Sequence, residues 1–205
     1  MKRSMVFAAL ILMALGIACG GKEPLASETG TASGAPPPPA APQTTDLDSD
    51  DPTLLARPFT AERIRDEWVP GLRLLMRRTF PEEVRIERWT VVAADDEGVD
   101  IEYATIADDG SVVGEPTLAR SSWIELRDHA SFPEAYSTRE WVSRATSLGE
   151  FEGWLYLVAE EGAATVQELF FVPELPGAPV QMRILEGDTM VFELEQTARL
   201  RPDTN

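Results

Sequence analysis

Gly149-Glu-Phe-Glu-Gly-Trp-Leu-Tyr-Leu-Val158 alternates on both of its sides. Phe151, Leu155 and Leu157 make one apolar row, and Trp154, Tyr156 and Val158 make the other. Side chains of a strand point alternately to opposite faces, so a strand apolar on both rows must be covered on both. The next apolar run, Thr165 to Val172, ends in Leu169-Phe170-Phe171-Val172 and has the same character. Outward from these two, a period of two recurs with one polar row. Val99, Ile101, Tyr103 and Thr105 alternate with Asp100, Glu102, Ala104 and Ile106. Val180, Met182 and Ile184 alternate with Gln181, Arg183 and Leu185, and Met190, Phe192 and Leu194 with Val191, Glu193 and Glu195. Each of these predicts a half-buried strand with one wet face.

Short acidic, glycine-ended turns separate the runs: Asp95 to Gly98, Asp108 to Gly110, Glu160 to Gly162, and Glu186 to Asp188. They read as hairpin connections. Two helices are predicted beside the strands. Thr60 caps Ala61 to Trp68, with Ile64 and Trp68 on one face and Pro70-Gly71 as the stop. Ser122 and Glu125 form a capping box ahead of a stripe of Trp123, Leu126 and Ala130 that ends at Phe132-Pro133. The expected fold class is α+β: a twisted antiparallel sheet of about seven to eight strands with one or two covering helices.

The chain has 205 residues, 43% of them hydrophobic and 26% charged, with 35 acids against 18 bases and a net charge of −17. An apolar fraction near the globular norm excludes an acidic disordered tail. A charge this negative disfavours nucleic acid, whose phosphates it repels. Residues 52–205 make one expected domain, holding 15 arginines against 29 acids and no lysine. Its length is enough to bury a core. Many of the acids fall in turns, where solvation and the masking of sheet edges account for them better than metal binding does.

Met1-Lys-Arg-Ser is followed by an apolar run from Met5 to Ala18 and then by Cys19, the only cysteine. The run is shorter than the roughly 18 to 20 residues a bilayer-spanning helix needs, and suits a secretory signal. Leu15-Gly16-Ile17-Ala18-Cys19 resembles the lipobox of bacterial lipoproteins, departing from it at Gly16. The resemblance implies cleavage after residue 18, a diacylglycerol thioether on Cys19, and an added acyl chain of the palmitate type. It also implies a lipid-anchored place in the cell envelope. Gly20 stands where the inner-membrane retention signal has Asp, which implies the outer membrane in a Gram-negative cell. A secreted soluble protein and an uncleaved anchor are the alternatives. Residues 19–51, rich in Pro, Ala, Ser and Asp, read as a tether. Asp46 to Asp51 imitate the start of an EF-hand loop, but Asp51 and Arg57 stand where the motif needs Gly and Glu.

The aromatic rows are the candidate binding residues. Trp89, Trp154, Tyr156 and Phe171 are expected to line an apolar pocket, against the ordinary alternative of a core beneath the Trp123 helix. Curved sheets of this kind resemble, in architecture alone, the carrier proteins of lipoprotein trafficking. Leu148-Gly-x-Phe-x-Gly-Trp-x-Tyr156 with Leu175-Pro-Gly-Ala-Pro-Val180 also resembles a pattern in uncharacterised, β-rich secreted bacterial proteins, which implies no activity.

Catalytic machinery is not expected. His129 is the only histidine, no nucleophile elbow or phosphate loop occurs, and neither a cofactor nor a metal is called for. Three functions follow in order. The first is an anchored lipoprotein whose β-rich domain binds a protein partner or an apolar ligand. The second is an assembly factor of an envelope complex without a ligand cavity. The third is a hydrolase using two carboxylates, one of raised pKa.

Overall fold

The computed structural model describes residues 51–159 and 162–202. Cys19, the lipobox, the tether and most of the EF-hand imitation lie outside the described residues, as do Glu160 and Glu161 of one turn. The described residues form nine strands in one sheet, so the expectation of seven to eight is corrected upward. The elements run α1 (Ala61–Glu67), β1 (Arg73–Thr79), β2 (Val84–Ala94), β3 (Gly98–Ile106), β4 (Val112–Ser122), α2 (Trp123–Asp128), β5 (Ser137–Thr146), β6 (Gly149–Val158), β7 (Thr165–Phe171), β8 (Gln181–Glu186) and β9 (Thr189–Leu200). With two short helices against this sheet, the fold is mostly β.

The spatial order is β4-β3-β2-β1-β9-β8-β7-β6-β5, antiparallel throughout. Two meanders account for it. The first walks outward from β1 to the edge strand β4. The chain then passes through α2 to the opposite edge and walks back from β5 to β9, which pairs with β1 and joins the halves. The expected turns at 95–98, 108–110 and 186–188 connect successive strands of these meanders.

Three of the nine strands lack a clear two-residue apolar period in the sequence. β4 is exposed along most of its length and β5 along about half, so neither shows a clean apolar row. In β1, Leu74 and Met76 are buried between Arg73, Arg77 and Arg78, and the arginines mask a two-residue period.

Both helices start where their caps predict. Thr60 Oγ1 accepts from the Arg63 amide at 3.3 Å, and Trp68 closes α1 with its amide on Ile64 O. At α2 the box is complete: Ser122 Oγ accepts from Glu125 N at 3.2 Å, and Glu125 Oε2 accepts from Ser122 N at 2.8 Å. The Trp123 indole then donates to Asp95 O at 2.9 Å, fastening α2 to the β2–β3 turn.

Alternation along β6 is as the sequence predicts. Trp154, Tyr156 and Val158 pack with the main core, which also holds Ile64, Trp68, Trp123, Leu74, Met76, Val91, Ile101 and Phe171. Leu155, with Phe151 and Leu157, belongs to a second cluster on the other face, with Phe170, Val172 and Val180. Gly153 sits where that second cluster is tightest: a Cβ there would lie 2.3 Å from Phe171 O and 2.9 Å from the Phe170 ring.

The expected wet face of β9 is corrected. Glu193 and Glu195 are 8% and 4% exposed, not solvated. Glu195 pairs with Arg77 and accepts from Ser147 N at 2.8 Å; Glu193 accepts from Arg183 at 2.9 Å and from Gln181 at 3.0 Å. Buried carboxylates persist only when paired and hydrogen-bonded in this way.

Candidate functional site: one face of the sheet, two uses

Trp89, Trp154, Tyr156 and Phe171 all lie on the helix-bearing face, because the registers put them on equivalent sides of the pleat. The structure brings three of them together. Trp154 and Phe171 are direct partners across β6 and β7, and the Tyr156 and Phe171 rings stand 5.6 Å apart at 88°. Trp89 is on β2, separated from β7 by β1, β9 and β8.

At the β6–β7 end the space beside the aromatics is filled. Phe132 lies 4.9 Å from Tyr156 and 6.5 Å from Phe171, and Phe59 lies 5.9 Å from Phe171. Phe59 closes a strap that begins at Leu54. Leu55 N donates to Phe132 O at 2.8 Å, Glu134 N donates to Thr53 O at 2.9 Å, and Arg57 Nε donates to Ser131 Oγ at 2.7 Å. Fully buried Tyr156 donates its hydroxyl to Ala56 O at 2.6 Å, and burial pushes its pKa well above the ordinary phenol value. Trp154 is half-buried, stacked under the Arg139 guanidinium at 3.4 Å and edge-on to Trp141 at 4.9 Å. Cation–π stacking of this kind favours Trp over other rings.

The β2–β3 end has another character. Trp89 meets Tyr103 edge-on at 5.3 Å, and its indole donates to Glu87 at 3.3 Å. Glu87 pairs with Arg78, whose guanidinium lies 5.7 Å from the Phe192 ring; Phe80 stands 5.2 Å from the same ring. Burial, with a smaller push from the Glu87 charge, raises the Tyr103 pKa. Phe80, Trp89, Tyr103 and Ile184 are half-buried, whereas Trp68, at the end of α1, and Trp123, in α2, are 2% and 5% exposed. The sequence reading named Trp89 but not Tyr103, which packs against it, nor Phe80 and Phe192, which pack against each other. The signal was available for Tyr103, which alternates on the neighbouring strand.

Two surface depressions lie elsewhere. One of about 380 Å³ is lined by Ala61, Glu62, Arg65, Asp96, Glu97, Trp123 and Ile124. The other, about 250 Å³, lies among Arg63, Asp66, Glu67, Pro173, Glu174 and Pro176. Neither is lined by any of the four candidate residues.

Among the described residues, the carboxylates with a shifted pKa are all shifted down. Side-chain and backbone donors hold Asp95 low, Arg120 first, and Ser122 does the same for Glu125. Asp51, Glu62, Glu83 and Asp109 are lowered by hydrogen bonds as well. A general acid of the kind a two-carboxylate hydrolase uses needs the opposite shift. His129 is exposed at the end of α2. Among the described residues no group of three or more His, Cys, Asp or Glu is placed to hold a metal ion.

No protein-family model matches the chain, and no curated protein is significantly similar to it. Among solved structures, a chain of the Pseudomonas aeruginosa MucA/MucB complex superposes with a TM-score of 0.48 at 12% identity, over 68% of this chain and 53% of that one. This chain thus spans about half the length of that neighbour. A Parabacteroides distasonis protein described as a lipoprotein gives 0.40 at 9% identity, over 65% of this chain and 96% of that one. Likenesses this distant carry no argument about a ligand or a partner.

Proposed function

We propose that the chain is a lipid-anchored cell-envelope protein, fastened through Cys19, whose sheet binds a protein partner or an apolar ligand without catalysis. One observation carries the binding half of this reading. Phe59 and Phe132 fill the helix-bearing face over buried Tyr156 and Phe171, whereas no aromatic ring covers the half-buried Trp89–Tyr103 pair among the described residues at the β2–β3 end. The Arg78–Glu87 pair there supplies fixed polar handles. Binding sites commonly join aromatic area to a few positioned polar groups in this way. The anchoring half rests on the lipobox resemblance at residues 15–19.

The assembly-factor reading draws on a different observation, the filling of the β6–β7 end by Phe59 and Phe132. Titration of the purified full-length protein with a fluorescent fatty-acyl probe separates the two. Under the apolar-ligand version of the reading the wild type binds the probe. The Trp89→Ala/Tyr103→Ala variant melts lower, because both rings pack against the core, but below its transition it is folded by far-UV circular dichroism and binds about tenfold more weakly, a loss of ~1.4 kcal/mol. No probe binding by a folded wild type would remove the ligand version and favour the assembly factor.

A further inference from the structure

The two outer strands of the sheet are built differently. β4 carries its own protection. Pro116 has no amide hydrogen to offer, Gly114 turns the chain at φ +75°, and the β3–β4 register slips between Tyr103 and Thr105. Proline and local irregularity are standard ways of keeping an edge from pairing with another chain. β5 has neither proline nor glycine, and its pairing with β6 runs from Ser137 to Thr146 without a register shift. Among the described strands, β6 is its only neighbour. The described chain nearest its start, the strap, pairs Leu54 with Pro133 and then closes a turn through Leu54 N to Asp51 O, short of β5.

β5 also carries a charge pattern that is complementary to itself. Thr138, Glu140, Val142, Arg144 and Thr146 share the face opposite the helices; Arg139, Trp141, Ser143 and Ala145 share the helix-bearing face. We propose that β5 is a pairing edge for a second copy of this chain, antiparallel and centred on Val142. In that register Glu140 of each copy stands opposite Arg144 of the other, twice over, and Trp141 stands opposite Ser143. Directly opposed side chains of an antiparallel pair share a face, so the helix-bearing faces of the two copies become continuous. A register one residue away brings Arg139 opposite Arg144 and joins unlike faces, which costs both charge and burial pattern.

The side chains are prepared for this. Glu140 is exposed and has no ion-pair partner among the described residues. Arg144 is held in place by Glu168 at 3.2 Å and Gln181 at 3.0 Å, both through Nη1, and its guanidinium lies 5.7 Å from the Phe170 ring. Nη2 is left for an incoming carboxylate. Each full-length chain carries a net charge of −17, which opposes pairing at low salt; at physiological ionic strength repulsion beyond about 8 Å is screened.

The test is a mass measurement in solution on the full-length protein, detergent-solubilised if anchored, with the micelle subtracted. The wild type runs as two copies. Glu140→Arg and Arg144→Glu each set like charges opposite one another and weaken association about tenfold, leaving single copies. Mixing the two variants restores a two-copy mass, because every opposed pair is then complementary. Glu140 supports nothing in the single chain, so Glu140→Arg decides the matter alone if Arg144→Glu melts early through loss of Glu168. A wild type of one-copy mass, or variants that keep the two-copy mass, overturns the proposal. So does a one-copy wild type in which changing Asp46, Asp48 and Asp50 to Asn speeds hydrogen exchange of β5 amides, since the tether would then own this edge. None of these outcomes bears on the Trp89 patch, so this inference and the proposed function can fail separately.

Discussion

Trp68→Ala is expected to cost about 3–5 kcal/mol, the range for removing a buried Trp or Phe from a packed core. For a domain of this size that lowers the melting temperature by on the order of 10 °C. Trp68 is 2% exposed, caps the C-terminal end of α1, and ties that helix to the segment leading from β7 to β8. Its Nε1 donates to Pro176 O at 2.8 Å, so truncation also leaves that carbonyl with only the longer bond from Arg199 Nη2 at 3.4 Å. Thermal melting of the variant against wild type, followed by far-UV circular dichroism, checks the prediction.

Gly177→Ala is expected to cost about 2–5 kcal/mol, through two causes that add. The backbone there has φ +113°, which a residue with a Cβ adopts only under strain. A Cβ would also lie 2.3 Å from Trp68 Nε1 and within 2.7 Å of two further indole atoms, overpacking a rigid ring. The causes can be separated. In the Trp68→Ala background the steric part disappears, so Gly177→Ala becomes cheaper by about 1–3 kcal/mol while the strain remains. Additive melting shifts in the four-member cycle would show that the indole and the glycine are not in conflict. The Leu175-Pro-Gly-Ala-Pro-Val180 pattern thereby acquires a physical role as a clamp on α1.

What the sequence could show divides along physical lines. Thr60 and the Ser122–Glu125 box are local signals, since a cap needs only neighbouring residues, and both helices begin where they point. The double alternation of β6 is also local, and both of its rows are covered as expected. Edge strands are legible only weakly, because β4 and β5 bury little and a period of two appears only where one row is buried. The partners of a charge are not local at all. Glu193 and Glu195 look like solvent-facing residues until Arg77 and Arg183 arrive from neighbouring strands. The grouping of Trp154, Tyr156 and Phe171 followed from adjacent strands. The separation of Trp89 from them depends on β9, from the end of the chain, lying between the two halves. Its pairing with Tyr103, and the strap that brings Phe59 over Phe171, required the fold itself.

The central claim is that the sheet takes its protein partner or apolar ligand at Trp89 and Tyr103. A photoreactive amino acid placed at Tyr103 of the full-length protein, irradiated in intact cells of the source organism, tests it most directly. The account predicts a discrete adduct, to one protein or to an acyl lipid, that is lost when Trp89 is changed to Ala and does not form when the photoreactive group replaces Ile124 on the exposed side of α2. Equal labelling at positions 103 and 124, or no adduct at 103 in a folded protein, would contradict it.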